Sequence, residues 1–587
     1  MKKKLKIFII SCSLVTAGFV SAGFTDSYFE IAKHIDIFTT LYKELNVFYV
    51  DETDPGELMK KGIDEMLKSL DPYTTYIPES EIEDFRFITT GKYGGIGAII
   101  TKREDFVYIS EPYENYPAHK AGLLSGDKII EINGRSAKGK NTEEISEILK
   151  GEPNTSVTLL IERETIKDPI RFEVKFDREK ISIESVSYAE YVEEGLGYIK
   201  LRSFTKGCAK DVKEAILKLK KEGELRGLIL DLRNNPGGLL NESVDIVNLF
   251  VEKGEEIVKT KGKIKSWEKV YVAKSKPLDL ELPLVVLINS TSASASEIVS
   301  GSIQDLDRGI VIGERSYGKG LVQQTRKLTY NSQLKLTVAK YYTPSGRCIQ
   351  ALDYSKQNIK EYDEKEIDQF ISWMQNNKDG GINAETFSNR ISQMKRIAKT
   401  PDSLKTKFYT KKGRIVYDGG GINPDILTHQ EELDNIVASL FRERLFFDYA
   451  THFRIRNEKI SSEFIFSDND FLDFKDFIAD KEYSYQTKTE RALDNLKQKA
   501  SNENYFENLQ SQYDLFAKEL QVNKNDDLSK SKEQIIELLT AEIMSRYFYQ
   551  KGRVKANLSF DKDVEEAIDI LSNNDKYKTL LEVEQEN

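Results

Sequence analysis

Two loops in the middle of this 587-residue chain carry residue types that could make and break an acyl bond. The first reads Asn289-Ser290-Thr291-Ser292-Ala293-Ser294-Ala295-Ser296-Glu297-Ile298, and the second Gly313-Glu314-Arg315-Ser316-Tyr317-Gly318-Lys319-Gly320-Leu321-Val322-Gln323. A serine hydroxyl is a weak nucleophile and needs a base beside it. Lysine serves as that base only when neutral, so its pKa must fall from about 10.4 toward about 7, roughly 4–5 kcal/mol of desolvation and local interaction. Glycines on both sides of Lys319 let the backbone turn its side chain into a dry pocket. The N–H of Ala295, at a helix start, can donate to a developing oxyanion. A second donor can come from Asn234-Asn235-Pro236-Gly237-Gly238. The histidines are His34, His119, His429 and His452. None lies in the central segment, which makes a Ser-His-Asp triad hard to build. Each piece also has a bland reading. Ser294 and Glu297 spell an S-x-x-E capping box, Lys319 could be a solvated loop residue or an anion binder, and Asn-Pro-Gly-Gly could be a simple turn. Their joint order on successive strand ends favours chemistry.

The elements that must position these residues are legible as patterns. Residues 179–428 alternate buried strands with helices. Leu228 to Leu232, Leu284 to Ile288 and Ile310 to Ile312 are continuous apolar runs, as expected of parallel strands covered on both faces. Each runs into a glycine- or serine-rich loop, where sites form in α/β folds. Residues 351–404 are polar and read as an insertion, and Gly413 to Asp425 returns to strand-and-turn texture that completes the domain. Upstream, 87–178 breaks into short strands and glycine turns, among them Asn133-Gly134, with a capped helix over 141–150 and a closing strand over 156–163. Residues 26–86 have helical spacing, with Pro55 opening a second helix. Residues 429–587 are charged and helical in period, an extension without a chemical motif. The expectation is a multidomain α+β and α/β chain.

The pieces Leu-Arg-Asn-Asn-Pro-Gly-Gly (232–238), Ser-Ala-Ser-Ala-Ser-Glu-Ile (292–298), Gln304-Asp305 and Tyr-Gly-Lys-Gly-Leu-Val-Gln (317–323) resemble the C-terminal processing peptidases (tail-specific serine proteases), in that family's order. Tyr342 to Arg347 and Gly420 to Asp425 resemble family segments as well. The family's separation of 25 positions between nucleophile and lysine selects Ser294, with Lys319, over Ser292 or Ser296. The resemblance implies a crotonase/ClpP-like α/β protease core with an inserted PDZ domain. It implies Ser294 as nucleophile, Lys319 as general base and Gln323 orienting the lysine, with Ala295, Gly237 and Gly238 forming the oxyanion hole. No metal or other cofactor is required. The segment around Gly94, Gly95, Ile96 and Gly97, with Ala121-Gly122-Leu123 and Gly126 to Gly134, resembles a PDZ domain. Its amides would hold a terminal carboxylate while an extended peptide adds beside Ala98 to Ile100. The implied activity is endopeptidase cleavage of exported proteins near or from their C-termini. The alternative is a catalytically silent PDZ scaffold that binds such tails.

Composition narrows the setting. A net charge of −10 argues against nucleic acid as a partner. Lys2 to Lys4 and Lys6 precede an apolar run from Ile7 to Val20 and then Ser21-Ala22-Gly23, the pattern of a secretory signal over 1–22. Export to the periplasm or cell envelope follows. An uncleaved membrane anchor is the competing reading, and self-association stays open. Beyond the leader, Cys208 and Cys348 are too few for a disulfide framework, and whether they pair is undecided by sequence.

Overall fold

The structure, a computed structural model, describes residues 28–351, 406–428, 433–524 and 526–582. The expected leader over 1–22, His429 and all but Ala351 of the expected insertion lie outside the described residues. The chain divides into two compact units, 1–76 and 77–587. In the first, α1 covers 28–48 and α2 covers Pro55–Lys68. The Asp54 carboxylate accepts the Glu57 N–H at 3.0 Å, and Pro55 sits where no helical N–H is required.

The second unit begins with α3 (Ile82–Thr90). There follow β1 (Lys92–Gly95), β2 (Ala98–Arg103), β3 (Phe106–Pro112), the one-turn α4 (Pro117–Lys120), β4 (Lys128–Ile132), α5 (Thr142–Leu149), β5 (Ser156–Arg163), β6 (Ile170–Asp177) and β7 (Glu179–Ser182). The antiparallel order is β2-β3-β4-β5-β6. Alternation along β5 buries Val157, Leu159 and Ile161 against Val107, Ile129 and Ile145. Asn133 and Gly134 take φ of 51° and 72°, as a two-residue hairpin turn demands. Asn141 caps α5 reciprocally with Glu144, both bonds at 2.8 Å. Strand β1 pairs with β7, so the chain enters and leaves this domain side by side, the geometry of an insertion.

The central sheet runs β8 (Val186–Glu193), β9 (Leu196–Leu201), β10 (Gly227–Asp231), β13 (Leu284–Ile288), β14 (Ile310–Gly313) and β19 (Ile426–Leu427), parallel from β9 onward. The last strand comes from the segment after Gly413. A second sheet joins β11 (Glu256–Gly262), β12 (Lys269–Val272), β15 (Leu321–Lys327) and β16 (Gln333–Tyr342). A hairpin of β17 (Lys407–Tyr409) and β18 (Ile415–Tyr417) stands beside them. Helices α6 (Cys208–Glu222), α7 (Leu240–Val247) and α8 (Ala295–Asp305) cover one face of the central sheet, packing Ile216, Val247 and Val299 on Leu228, Leu230 and Val286. Cys208 and Cys348 are both free thiols.

The C-terminal region folds as α9 (Asn435–Arg442), α10 (Leu445–Arg456), α11 (Asp468–Ile478), α12 (Lys488–Asn502), α13 (Phe506–Lys524), α14 (Lys532–Leu558), α15 (Lys562–Ser572) and α16 (Asn574–Leu580). Its first helices and α14 share a core around Val437, Tyr449, Phe474 and Ile543. Its end does something the sequence left unassigned. Val564, Ala567, Ile570 and Leu571 of α15 pack on Ile229, Val285, Leu287 and Ile312, the opposite face of the central sheet. Neighbouring strand residues point to opposite faces, and this second layer is why the strands are apolar throughout. The Leu284 N–H donates to the Tyr577 hydroxyl at 3.0 Å. Other contacts reach the inserted domain: Arg103 pairs with Asp448 at 2.7 Å and Arg553 with Glu111 at 3.3 Å. Truncating fully buried Ile570 to Ala should therefore destabilise the central domain itself, by roughly 2–5 kcal/mol. Urea unfolding followed by fluorescence should show one transition at lower midpoint. Separate melting of α15 and α16 with the core intact would contradict a shared core.

Candidate active site

Strands β10, β13 and β14 are parallel neighbours in register, Asp231 beside Leu287 and Leu287 beside Ile312. Their carboxyl ends therefore release three loops side by side. The loop after β13 leads into α8, with Ser294 at its N-cap and Ala295 its first residue. Ser294 takes φ 56° and ψ −110°, a conformation rare for a residue with a Cβ. Such strain persists only where surrounding contacts enforce it.

Those contacts centre on Glu297. It is fully buried. Its Oε2 accepts the Ser294 N–H at 2.7 Å and the Lys319 N–H at 2.8 Å, so these two residues share one carboxylate oxygen through their backbones. Its Oε1 accepts from the Ser316 hydroxyl and the Gly318 N–H, both at 2.6 Å. Burial raises the Glu297 pKa above the ordinary glutamate value, while these hydrogen bonds pull it back. The S-x-x-E relation is present, but the glutamate ties two loops together. The Glu297 N–H donates to the Ser294 carbonyl at 2.9 Å. Tyr341, also fully buried, makes a second link: its hydroxyl lies 3.0 Å from the Ser294 carbonyl oxygen and also hydrogen-bonds the Lys319 carbonyl. Neither Glu297 nor Tyr341 was singled out by sequence as part of the site. The only sequence signal was the S-x-x-E spacing, which has a complete local explanation.

The loop after β10 closes the third side. Ala293 N–H and the Ser296 hydroxyl donate to the Asn235 carbonyl at 3.1 and 2.9 Å, and the Ser292 hydroxyl donates to the Leu232 carbonyl at 2.8 Å. A Cβ on Gly237 would lie 2.9 Å from both Ala295 N and Ser294 Cβ, so this glycine touches the Ser294 turn and has no room for a side chain. The Gly237 N–H itself donates to Asn235 Oδ1 at 2.9 Å. Of the two loop glycines, only Gly238 keeps an amide without an acceptor among the described residues, as does Ala295. Gln323 donates through Nε2 to the Leu321 carbonyl at 3.2 Å and Thr337 Oγ1 at 3.4 Å. Ser294 and Lys319 are both partly buried.

The remaining motifs hold the far end of α8. Arg347, fully buried, donates to Asp305 and Gln304 at 2.7 Å each. Arg414 pairs with Asp307 and Asp425, at 2.7 and 2.6 Å. Ile422 N–H donates to Ser316 Oγ at 2.6 Å.

In the inserted domain, β2 is an edge strand with α5 packed against it, the cleft in which an extended peptide can add as a further strand. Gly94 and Gly95 belong to the β1–β7 ladder, leaving Ile96 and Gly97 (φ 72°) as the turn that enters β2. The Gly97 carbonyl accepts the Tyr113 N–H at 2.8 Å.

Replacing Glu297 by Gln keeps shape but turns one acceptor into a donor, so whichever way the amide lies, two buried donors lose their acceptor. At about 1–3 kcal/mol each, the expected loss is roughly 2–6 kcal/mol, measured by chemical denaturation.

Comparison with known proteins agrees with this architecture. Residues 195–356 match peptidase family S41, 108–163 match a PDZ domain, and 436–571 match the C-terminal helical domain of probable PDZ-proteases. The chain is 37% identical over 339 residues to a carboxy-terminal-processing protease of Bartonella bacilliformis, covering 57% of this chain and 76% of the relative. It is 38% identical over 312 residues to a probable CtpA-like serine protease of Staphylococcus aureus, covering 53% of this chain and 61% of that one. Among solved structures it is similar to a photosystem II D1 C-terminal processing protease, with 29% identity, a TM-score of 0.32, and coverage of 53% of this chain and 89% of that one. The chain belongs to the C-terminal processing peptidases of family S41, serine proteases that carry a PDZ domain.

Proposed function

We propose that this chain is an endopeptidase that cleaves exported proteins near or from their C-termini, using Ser294 as nucleophile and Lys319 as general base. The observation that carries the reading is the convergence of the Ser294 and Lys319 backbones on one oxygen of Glu297. In the first half-reaction Ser294 Oγ attacks the scissile carbonyl carbon and its proton passes to Lys319 Nζ. Negative charge develops on the carbonyl oxygen, which the Ala295 and Gly238 amides are available to meet. Collapse expels the amine, which takes the proton from Lys319, and leaves an ester on Ser294. Water, deprotonated by the same lysine, then hydrolyses that ester. Gln323 orients the lysine in this scheme, its hydrogen bond to the Leu321 carbonyl bracing the adjoining backbone. The PDZ domain recognises the substrate tail, with its carboxylate at Ile96 and Gly97 and its backbone along β2. The basic and apolar leader supports export to the periplasm or cell envelope, with the N-terminus either removed or kept as an anchor.

Ser294→Ala and Lys319→Ala should each abolish cleavage of an unfolded protein with an apolar tail, at least 1000-fold, with unchanged circular dichroism. Turnover close to wild type in either folded variant would remove the dyad. If both are inactive because the wild type is also inactive, yet tailed peptides bind, the chain is a PDZ scaffold instead. Amidating the substrate's terminal carboxylate should raise KM about tenfold, near 1.4 kcal/mol, with kcat little changed. An unaltered KM would exclude carboxylate recognition.

A further inference from the structure

The loop that carries Gly238 is braced from an unexpected direction. Arg233 sits in that loop and is 7% exposed. All five N–H donors of its guanidinium have carboxylate acceptors. Nε and one Nη2 hydrogen go to Asp231, at 3.1 and 2.8 Å. The others go to Asp561, at 2.8 and 2.6 Å, and to Asp563, at 2.9 Å. Asp231 belongs to β10 and is itself held by the Tyr198 hydroxyl and Lys200. Asp561 and Asp563 belong to the C-terminal region: Asp561 is the N-cap of α15, its Oδ1 accepting the N–H groups of Asp563 and Val564. The same helix is anchored across the central sheet through Val564, Ala567 and Ile570. It is therefore a rigid base.

The remaining ties on the loop come from within the protease core. Arg233 N–H donates to Asp231 Oδ1 at 2.8 Å, Asn234 exchanges hydrogen bonds with Asn289, and Asn235 Nδ2 donates to the Leu201 carbonyl at 2.8 Å. Asn235 is the hub. Its carbonyl receives the Ser294 turn while its Oδ1 receives Gly237, whose neighbour Gly238 offers the second amide. A displacement of Arg233 is transmitted to this hub through two peptide units.

We propose that Asp561 and Asp563 are positioning residues for the proposed reaction: through Arg233 they hold the loop that presents the Gly238 N–H to the developing oxyanion. The C-terminal helices thereby become part of the catalytic apparatus without touching substrate. This rests on the reading of Ala295 and Gly238 as oxyanion donors.

The test uses the full chain carrying Asp561→Asn with Asp563→Asn, a fluorogenic peptide with an apolar tail, and a peptide boronic acid whose tetrahedral serine adduct places an oxygen at the oxyanion position. The expected result is a kcat at least tenfold lower, KM within twofold, and boronate affinity weakened by the same factor as kcat/KM. A role confined to stability would lower the melting temperature and leave kcat per folded molecule and boronate affinity unchanged, which would overturn the proposal. So would a fall in kcat with boronate affinity retained. If the double variant does not fold, Asp561→Asn alone is decisive, because asparagine caps helices as well as aspartate does. A several-fold loss of kcat and boronate affinity together then supports the clamp, and no loss refutes it. Activity in Ser294→Ala would instead defeat the underlying dyad, a separate outcome.

Discussion

A carboxylate without water is the constraint around which the candidate site is arranged. Glu297 is fully buried, and moving its charge out of solvent costs several kcal/mol unless hydrogen bonds restore what hydration supplied. Four donors do so, two on each oxygen, and they arrive from Ser294 and from residues 316 to 319. The requirement works in both directions. The loops must approach for the carboxylate to be tolerated, and once they approach, the Ser294 turn is held in a backbone conformation it would not choose alone. Because folding raises the Glu297 pKa, its charge opposes stability. That penalty is absent below the unfolded glutamate pKa and complete above the raised folded one. At neutral pH the site therefore gives up some stability for fixed geometry.

Tyr341 makes the same connection in uncharged form. Its phenol, with a pKa raised by burial first and by Glu297 second, stays protonated and can donate to either carbonyl. The two groups bracket the Ser294–Lys319 pair from the amide side and the carbonyl side. With their backbones fixed at both ends, the Ser294 and Lys319 side chains keep only rotamer freedom.

How much of this could be read from residue order follows from whether the relevant partners are local. The approach of the Ser294 turn to the Lys319 backbone was legible, because strand ends and loop composition speak in one stretch of chain. The β-hairpin at Asn133-Gly134 and the cap at Asn141 were legible for the same reason: each is decided within four residues. Glu297 was misjudged because its three-residue relation to Ser294 already satisfied a local rule, while its other donors lie 19 to 22 positions away. The amide of Gly237 looked as available as that of Gly238, since only the folded loop shows Asn235 curling back to take it. Gln323 lies on β15, whose hairpin pairing with β16 places its amide beside Thr337.

The C-terminal helices show the same limit at larger scale. Val564, Ala567, Ile570 and Leu571 form a readable apolar stripe on α15, but a stripe does not name the surface it covers. The missing half was present elsewhere in the chain. Strands apolar on both faces demand two covering layers, and α6, α7 and α8 supply only one. The unsatisfied face and the unassigned helix together specify each other, across about half the length of the molecule. Arg233 then follows from burial: a guanidinium only 7% exposed, at the rim of a sheet covered on both sides, loses most of its hydration, so carboxylates must come to it. Those on β10 alone could meet only part of its donor set. The rest had to be delivered by whatever element closed that face, and the acidic N-terminus of α15 suits this role because the Asp561 carboxylate also meets the unpaired amides of the helix start.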